Sequence, residues 1–257
     1  MTELSSVAGR TVLVTGASKG IGAAIVQAVG AAGAYVIAHY GHDAEGVKAA
    51  TASIPSERLL IVSADLADSD AIRRMWSEAL AWRGTIDVVV NNAAMLKESP
   101  LESTDAEWDE AWDQHLAVNV KGPMALTRCA VRYFTGHGGG VLITLTSWAA
   151  QKGSGNPHLI AYAASKAAIK AATQTLAAAH AAEGLLAYLI APGMVATQMS
   201  IDGAAKFGGE AAATAKLAMK EWVPPAEIAE LVVFLASGKV RHLSGATIDV
   251  NGASYIR

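Results

Sequence analysis

Short apolar runs alternate with longer amphipathic stretches along the whole chain. The runs are rich in β-branched residues and leucine, and they lie at 11–15, 35–40, 58–64, 86–92, 140–147, 185–191 and 246–252. Alanine-rich helical patterns lie between them, at 21–32, 43–53, 68–82, 106–134, 161–182 and 225–236. Strands that are apolar almost throughout are typical of a parallel sheet covered on both faces. The alternation predicts a single doubly wound α/β (Rossmann) domain over residues 1–257, with a seven-stranded parallel sheet and helices on both faces.

One stretch departs from this alternation. Residues 197–223, TQMSIDGAAKFGGEAAATAKLAMKEWV, have only a weak helical pattern, which a Gly-Gly pair at 208–209 interrupts. A connection of this length is uncommon inside an α/β domain, and long insertions of this kind are often lids or binding loops. We therefore expect a substrate-lid insertion around 197–223 within the single domain.

The composition excludes several classes of protein. Of the 257 residues 52% are apolar and 17% are charged, as in a globular enzyme. The formal net charge of −3 and the lack of a Lys/Arg cluster argue against nucleic-acid binding. No apolar run approaches a bilayer span, and the N-terminal residues do not resemble a secretory signal. The single cysteine, Cys129, cannot form an internal disulfide, which fits a reducing cytoplasm without proving one. From these features together we expect a cytoplasmic protein without a membrane partner.

A glycine-rich turn follows the first predicted strand. The sequence TGASKGIG, residues 15–22, opens directly into the first predicted helix. In such a turn Gly16 permits a tight bend, Gly20 allows a ligand to approach the backbone, and Gly22 lets the helix pack on the strand. Free N–H groups and the dipole at the helix N-terminus favour a pyrophosphate. The turn predicts a dinucleotide site, whereas a glycine turn elsewhere in a chain is often a plain connection.

The end of the second predicted strand bears on the choice of cofactor. NAD sites usually place an acidic residue there, about 20 residues beyond the glycines, to bind the ribose 2′-hydroxyl. Here the strand ends HYGH (39–42), with no carboxylate before Asp43. Lys19 in the glycine loop could reach a 2′-phosphate, or it could be a solvated loop lysine. We expect NADP(H), with NAD(H) as the alternative.

Two proton-handling residues stand four positions apart in the alanine-rich stretch AYAASKAAIK, 161–170. They are Tyr162 and Lys166, and because four residues is close to one helical turn, both share one helix face. A free tyrosine has a pKa of about 10 and is a poor base at neutral pH. A nearby lysine cation favours the phenolate, so we expect Lys166 to lower the pKa of Tyr162 toward the working pH.

Further fragments occur in a recognisable order. They are ADL (64–66), NNAA (91–94), VNVKG (118–122), TS (146–147), YAASK (162–166) and APGMVAT (191–197). Together with TGASKGIG they resemble the motifs of the short-chain dehydrogenase/reductase family over nearly the whole chain, including members that reduce 3-oxoacyl thioesters. Ala94 stands where the family usually has glycine. The stretch between Ser147 and Tyr162 is slightly longer than is common, which predicts a bulged loop at 153–159 beside the substrate.

The resemblance implies a four-member active site. Tyr162 would be the acid/base that exchanges a proton with the substrate oxygen, and Lys166 would bind the nicotinamide ribose. Ser147 would hold the substrate carbonyl or alcohol. Asn119 would support a water that connects Lys166 to solvent, although a lone asparagine in a helix is more often a satisfied core group.

The resemblance also implies a set of cofactor contacts. Asp65 would bind near the adenine, and Asn91 would line the nicotinamide side. Pro192, Gly193 and Thr197 would contact the nicotinamide end. The full set of expected cofactor-binding residues is Gly16, Ser18, Lys19, Gly20, Ile21, Gly22, Tyr40, Asp65, Leu66, Asn91, Asn92, Ala93, Tyr162, Lys166, Pro192, Gly193, Val195 and Thr197.

Several aromatic and apolar residues fall near the expected substrate position. As a group around the predicted lid they could form a wall over the substrate, whereas each alone is more often a core residue. His158 could face the substrate or simply be exposed. The candidates are Trp148, His158, Met194, Met199, Phe207 and Trp222. None of the seven histidines forms an H-x-x-x-H pair or stands near the cysteine, so we expect no metal site.

The resemblance implies an NAD(P)-dependent oxidoreductase that interconverts a ketone or aldehyde and an alcohol, acting as an NADPH-dependent carbonyl reductase. Two alternatives stay open: a dehydratase or epimerase on the same scaffold, and a non-catalytic dinucleotide-binding regulator. Regulators of this kind typically lack the tyrosine or the lysine, and this chain has both. The family also implies a homotetramer, or a homodimer, formed through the helices at 106–134 and 161–182 and the C-terminal strand.

Overall fold

A seven-stranded parallel sheet forms the centre of the protein, whose computed structural model describes residues 6–205 and 208–257. The strands are β1 (Thr11–Val14), β2 (Tyr35–Tyr40), β3 (Leu59–Ser63), β4 (Val88–Asn91), β5 (Gly140–Leu145), β6 (Leu185–Pro192) and β7 (Thr247–Val250). Their spatial order is β3-β2-β1-β4-β5-β6-β7, and every adjacent pair is parallel. The order reverses between β1 and β4, and ligands bind at such a switch point in doubly wound sheets.

Ten helices connect the strands within the described residues. They are α1 (Gly20–Ala31), α2 (Ala44–Thr51), α3 (Ser69–Arg83), α4 (Asp105–His115), α5 (Gly122–Gly136), α6 (Ala149–Lys152), α7 (Ile160–His180), α8 (Gln198–Ala205), α9 (Gly209–Ala215) and α10 (Pro225–Ala236). Helices α1 and α10 pack on one face of the sheet, and α3 and α5 pack on the other. Every residue of β1 and β4 is consequently buried, which explains why their sequences, TVLV and VVVN, are almost entirely apolar. The predicted doubly wound fold is confirmed.

The stretch predicted as one helix over 106–134 has two helices with a wider turn between them. A π-helical turn, Leu116–Lys121, separates α4 from α5. Pro123 has no N–H group and cannot bond the carbonyl of Asn119, so the regular α-helical ladder cannot run through this point. The prediction of one regular helix was wrong here, and the wider turn contains Asn119, one of the expected site residues.

Two segments near the predicted site contain more regular structure than their sequences suggest. The stretch between Ser147 and Tyr162 holds α6 and a 3₁₀ turn, Pro157–Leu159, in place of a simple bulged loop. Residues 197–223 contain α8 and α9, and a single β-bridge joins Val195 to Val223 at the base of this segment. Across residues 6–205 and 208–257, none of the helices is both long and apolar enough to cross a bilayer.

Candidate active site

A cavity of about 560 Å³ opens at the carboxyl ends of the strands, beside the switch point between β1 and β4. The glycine loop, the residues that follow β2 to β6, the first turns of α7 and the start of α8 line it. Of the cofactor-binding residues expected from the sequence, all except Tyr40 and Asn91 line this cavity. The motifs that are scattered along the chain therefore meet in one place.

The glycine loop has the geometry that a bound pyrophosphate requires. Gly16 and Gly20 have φ angles of 69° and 56°, in the left-handed region that favours glycine. A Cβ on Gly22 would lie 2.0 Å from the carbonyl oxygen of Gly16, so only glycine allows α1 to start this close to the loop. The first turn of α1 has no side-chain cap from Lys19, which leaves its N–H groups for a ligand. These features fit a dinucleotide.

The end of β4 braces the glycine loop. The Asn92 amide donates to the carbonyl oxygens of Thr15 at 2.8 Å and Gly16 at 3.2 Å. The Thr15 hydroxyl accepts in return from the backbone N–H groups of Asn92 and Ala93, at 3.0 and 3.1 Å. The two strand ends on either side of the switch point are thus locked together by side chains.

Two expected cofactor contacts, Asn91 and Tyr40, do not line the cavity. Neighbouring residues of a strand point to opposite faces of the sheet. Asn91 is buried and its amide donates to the hydroxyl of Thr127 in α5 at 2.8 Å, whereas the next residue, Asn92, points to the glycine loop. Tyr40 packs against the α1 side of the core, and His39 beside it lines the cavity. The sequence correctly identified the strand ends, but not which of their residues face the cavity.

Ser147, Tyr162 and Lys166 come together at the other end of the cavity. Ser147 follows β5, and Tyr162 and Lys166 lie on the first turns of α7. The Ser147 hydroxyl lies close enough to the Tyr162 hydroxyl to favour the phenolate, and it accepts from the backbone N–H of Ala149 at 3.1 Å. The Lys166 ammonium is buried, donates to the carbonyl of Leu145 at 2.9 Å, and lies 6.0 Å from the centre of the Tyr162 ring.

Burial is the largest influence on both titrating groups of this trio. It raises the pKa of Tyr162 above its ordinary value, and the hydrogen bond from Ser147 acts in the opposite direction with a smaller effect. It lowers the pKa of Lys166 to about 8. The expectation of a net lowering of the Tyr162 pKa is wrong for this structure, because the loss of solvent around the phenol dominates.

Asn119 is buried behind the cavity wall and does not line the cavity. Its amide oxygen accepts from the backbone N–H of Met95 at 2.9 Å, and its amide nitrogen donates to the Met95 carbonyl at 3.0 Å and to the Ser165 hydroxyl at 3.1 Å. The side chain therefore ties the loop after β4 to α7. Met95 itself lines the cavity, so Asn119 shapes the site through a neighbour.

A buried histidine that the sequence analysis did not single out supports Tyr162. The His115 ring lies edge-on to the Tyr162 ring, with 6.3 Å between the ring centres. Its Nδ1 bonds the Ala111 carbonyl at 2.7 Å, and its Nε2 accepts from the backbone N–H of Lys97 at 3.3 Å. Burial lowers the pKa of His115 and so favours this neutral form. The sequence feature that could have pointed to His115 as a site residue is its position four residues, about one helical turn, before Asn119.

Most of the expected substrate contacts do not line the cavity. Met199 lines it, and Phe207 lies outside the described residues, whereas Trp148, His158, Met194 and Trp222 are not part of the lining. The Trp148 ring packs under the Lys152 ammonium at 4.2 Å, and the Trp222 indole donates to the Thr214 hydroxyl at 2.8 Å. The Met194 and His158 carbonyls accept backbone bonds from Val223 and Ser99, at 2.8 and 2.7 Å. The positions of these residues in the sequence did not reveal which groups they contact.

Several cavity-lining residues were missed, and they lie in or beside the motifs that were found. Most of them lie inside the quoted motifs and the others within three residues of one, so counting every residue of each motif and its nearest neighbours would have found them. They are His39, Gly41, His42, Asp43, Ala64, Ala94, Met95, Val118, Leu145, Thr146, Gln198 and Ser200. In the part of the chain that the structure describes, no three His, Cys, Asp or Glu side chains are grouped so as to hold a metal ion.

Comparison with known proteins places this geometry in a family. A family model described as enoyl-(acyl carrier protein) reductase matches residues 16–253. The chain is 33% identical over 253 residues to 3β-hydroxysteroid dehydrogenase 1 of Eggerthella lenta, which covers 95% of this chain and 93% of that protein. It is 30% identical over 250 residues to a 3-oxoacyl-[acyl-carrier-protein] reductase of Staphylococcus epidermidis, which covers 96% of this chain and 99% of that protein.

Solved structures give the same result. A protein of Beutenbergia cavernae assigned as an NAD(P)-dependent gluconate 5-dehydrogenase, with NADP bound at low occupancy, superimposes with a TM-score of 0.87 at 33% identity, over 97% of this chain and 98% of that one. A dehydrogenase/reductase of Sinorhizobium meliloti has a TM-score of 0.85 at 32% identity, with 98% of both chains covered. The chain belongs to the short-chain dehydrogenase/reductase family and is an NAD(P)-dependent oxidoreductase that interconverts a carbonyl compound and an alcohol.

Proposed function

We propose that the chain is an NADPH-dependent carbonyl reductase whose catalytic residues are Ser147, Tyr162 and Lys166, with Asn119 as a supporting residue. One observation carries the assignment of the residues. Ser147, Tyr162 and Lys166 line the same cavity into which the glycine loop and the N-terminus of α1 open. A dinucleotide bound along this cavity would span from the loop to the two hydroxyls.

The side chains suggest how the reaction proceeds. When bound, a reduced nicotinamide would supply the hydride for the carbonyl carbon. The Tyr162 hydroxyl then gives its proton to the substrate oxygen, and the Ser147 hydroxyl donates a hydrogen bond to that oxygen as negative charge develops on it. Oxidation of an alcohol would use the same groups in reverse. Ser147 follows β5 and Tyr162 lies on the first turn of α7, so regular elements position both hydroxyls.

Lys166 would offset the charge that forms on Tyr162. With a pKa of about 8, the buried amine is still mostly protonated at pH 7. Its helix holds it one turn from Tyr162, and its bond to Leu145 fixes its direction at the end of β5. A positive charge in this water-poor position favours the phenolate during proton transfer, and the ammonium can also donate to the ribose of a bound dinucleotide.

The adenosine end of the cavity favours NADP(H). Lys19 and His42 line it and are exposed, which suits a 2′-phosphate. Asp43 also lines it, but its carboxylate accepts from the Gly46 N–H at 2.8 Å and caps α2. The NADP in the Beutenbergia cavernae structure agrees with this preference.

Lys19→Ala should therefore weaken NADPH binding about 10-fold and NADH binding by less than about 2-fold, as measured by fluorescence titration. Lys239→Ala is the exposed-lysine control, and tighter binding of NADH than NADPH by the wild type would contradict the proposal.

The substrate is a ketone or aldehyde with an apolar part next to the carbonyl. Met95, Val118 and Met199 contribute apolar side chains to the cavity that Tyr162 also lines. The named relatives act on steroids, 3-oxoacyl thioesters and sugar acids, so the family covers a wide range of substrates.

We assign residues 197–223 as the substrate lid. We further propose a cytoplasmic homotetramer, to be tested by light scattering of the purified protein.

A screen of carbonyl substrates tests the proposed function. A 3-oxoacyl thioester, a 3-ketosteroid, a keto sugar acid and a simple aldehyde would be offered with NADPH and with NADH, and the loss of reduced nicotinamide followed by absorbance. We expect NADPH consumption with at least one of them and a fall in kcat of about 100-fold or more in Ser147→Ala. Ser154→Ala, in the same connection, is the matched control. Conversion of a substrate without net nicotinamide consumption would favour a dehydratase or epimerase instead.

A further inference from the structure

His39, next to the end of β2, is buried and bonds two separate parts of the cavity wall. Its Nδ1 lies 3.2 Å from the backbone nitrogen of Gly16 in the glycine loop. Its Nε2 lies 3.0 Å from the carbonyl oxygen of Ala64, directly after β3. Gly16, His39 and Ala64 all line the cavity. One ring therefore joins three strand ends of the dinucleotide side.

These partners define the state of the ring. A backbone N–H can only donate, so Nδ1 must accept from Gly16 with its lone pair. A carbonyl can only accept, so Nε2 must carry the hydrogen that Ala64 receives. Only the neutral tautomer with the hydrogen on Nε2 satisfies both bonds. A second hydrogen on Nδ1 would face the Gly16 N–H and break that contact.

The backbone of His39 extends the same contact. Its carbonyl oxygen accepts from the Ala17 N–H at 2.8 Å, so side chain and main chain together bind two successive N–H groups of the loop. With these two N–H groups bound, the loop can present only its later N–H groups, near Gly20 and the start of α1, to a phosphate. Gly16 is also the residue against which Gly22 packs, so a shift at Gly16 would move the start of α1.

We propose that His39 is a positioning residue for the dinucleotide, whose neutral ring holds the glycine loop in its binding conformation through the Gly16 N–H. This inference rests on the proposed binding of the dinucleotide in this cavity. It predicts that cofactor affinity falls when the ring is protonated or when the Nδ1 acceptor is removed.

The surroundings of the ring favour the neutral form. Burial lowers the pKa of His39, and the bond to Ala64 has a smaller, opposite effect. The titrating groups on neighbouring elements are Tyr40 on the same strand, Lys19 in the glycine loop, His42 and Asp43 after β2, and Asp65 after β3. The two carboxylates accept backbone N–H groups in their own turns, from Gly46 and Ala67, both at 2.8 Å.

Two substitutions separate the two bonds of the ring. The amide oxygen of His39→Asn can replace Nδ1 as acceptor for Gly16, and the amide nitrogen of His39→Gln can replace Nε2 as donor to Ala64 but leaves the Gly16 N–H without its acceptor. Affinity for NADP⁺ and NAD⁺ would be measured by calorimetry at pH 8 and pH 5.5, together with the melting temperature. NAD⁺ is included because it lacks the 2′-phosphate of NADP⁺, and that phosphate itself changes its protonation state between pH 5.5 and pH 8.

We expect His39→Asn to bind NAD⁺ within about 3-fold of the wild type at pH 8, and His39→Gln to bind about 10-fold more weakly while it remains folded. Because burial lowers the pKa of His39, any acid loss of NAD⁺ affinity in the wild type belongs below the ordinary range of a histidine, and it should be absent from His39→Asn. His242→Ala, at an exposed histidine outside the cavity lining, is the control and should bind NAD⁺ like the wild type. Equal affinities of the two His39 variants at pH 8, or an acid loss in His39→Asn as large as that of the wild type, would overturn the inference. A wild type that binds neither nucleotide at any pH would overturn the proposed function and the inference with it.

Discussion

The cavity has two sides that are built differently. One side is the strand-end edge, formed by residues 15–22 and 92–94, by Ser147 and by the first turns of α7. Its polar groups bond one another, and several of its atoms are so close that a single Cβ would not fit. The other side includes the 197–223 segment, where only Ala204, Leu217 and Val223 are buried among the described residues.

This difference separates chemistry from substrate choice. The strand-end edge holds the groups proposed to bind the dinucleotide and to transfer the proton, and it cannot change without loss of packing. The 197–223 segment consists of two short helices with few buried side chains, so it can vary at small cost to stability. The account predicts large effects from substitutions at the edge and small, substrate-dependent effects in the segment.

The largest effect on stability is expected from Lys166, the buried cation of the edge. Its pKa of about 8 is below its ordinary 10.5, so between these values the unfolded chain binds a proton that the folded chain does not. Stability therefore rises with pH in this window, and below it this group adds no further pH dependence. Relative to Lys166→Met, the wild type should gain up to about 3 kcal/mol of unfolding free energy between pH 7 and pH 10.

Urea unfolding at several pH values measures this gain. The range should stop at pH 10, because the raised pKa of Tyr162 acts with the opposite sign at higher pH. The exposed-lysine variant Lys239→Met should change the unfolding free energy by less than about 0.5 kcal/mol at each pH. If wild type and Lys166→Met kept the same difference at pH 7 and pH 10, the amine would not be buried as a costly charge.

A smaller but still large effect is expected at Gly22. In Gly22→Ala the new Cβ would lie 2.0 Å from the Gly16 oxygen and 2.6 Å from the Asn92 amide nitrogen, so the loop and α1 must separate. We expect NADPH affinity, measured by fluorescence titration, to fall by about 10-fold or more. Gly136→Ala, in α5 with open space around it, is the control and should bind NADPH like the wild type. Unchanged affinity in Gly22→Ala would show that the loop is not the phosphate site.

The smallest effect is expected in the 197–223 segment. Met199 lines the cavity and is 43% exposed, so its truncation removes an apolar contact without opening the core. Met199→Ala should change KM for the carbonyl substrate by about 2- to 5-fold, with kcat and cofactor affinity nearly unchanged. The exposed Met219, outside the cavity lining, serves as control in Met219→Ala. A fall in kcat as large as that of an edge variant would remove the distinction between the two sides.

The sequence predicted the strand-end edge well for physical reasons. Parallel strands place their carboxyl ends together, so motifs at the ends of successive apolar runs had to meet. Glycine positions and the spacing of Tyr162 and Lys166 depend on local geometry, which the sequence shows directly. These rules identified all but two of the expected cofactor contacts as cavity-lining residues.

What the sequence did not reveal depends on contacts between distant residues. Asn91 faces Thr127 and not the cavity, and His39 bonds Gly16 and Ala64, which lie on two other elements. The pKa of Tyr162 rises because of burial, which a spacing argument on one helix does not include. The substrate wall was predicted from isolated aromatic residues, and these have packing partners of their own.

The proton transfer assigned to Tyr162 is the central claim, and one variant tests it most directly. Tyr162→Phe removes only the hydroxyl, and its kcat for carbonyl reduction and its affinity for NADPH would be measured on the same preparation, beside Tyr133→Phe as control. The account predicts a fall in kcat of about 100-fold or more with NADPH affinity within about 2-fold of the wild type. A Tyr162→Phe enzyme that keeps near wild-type turnover would contradict it.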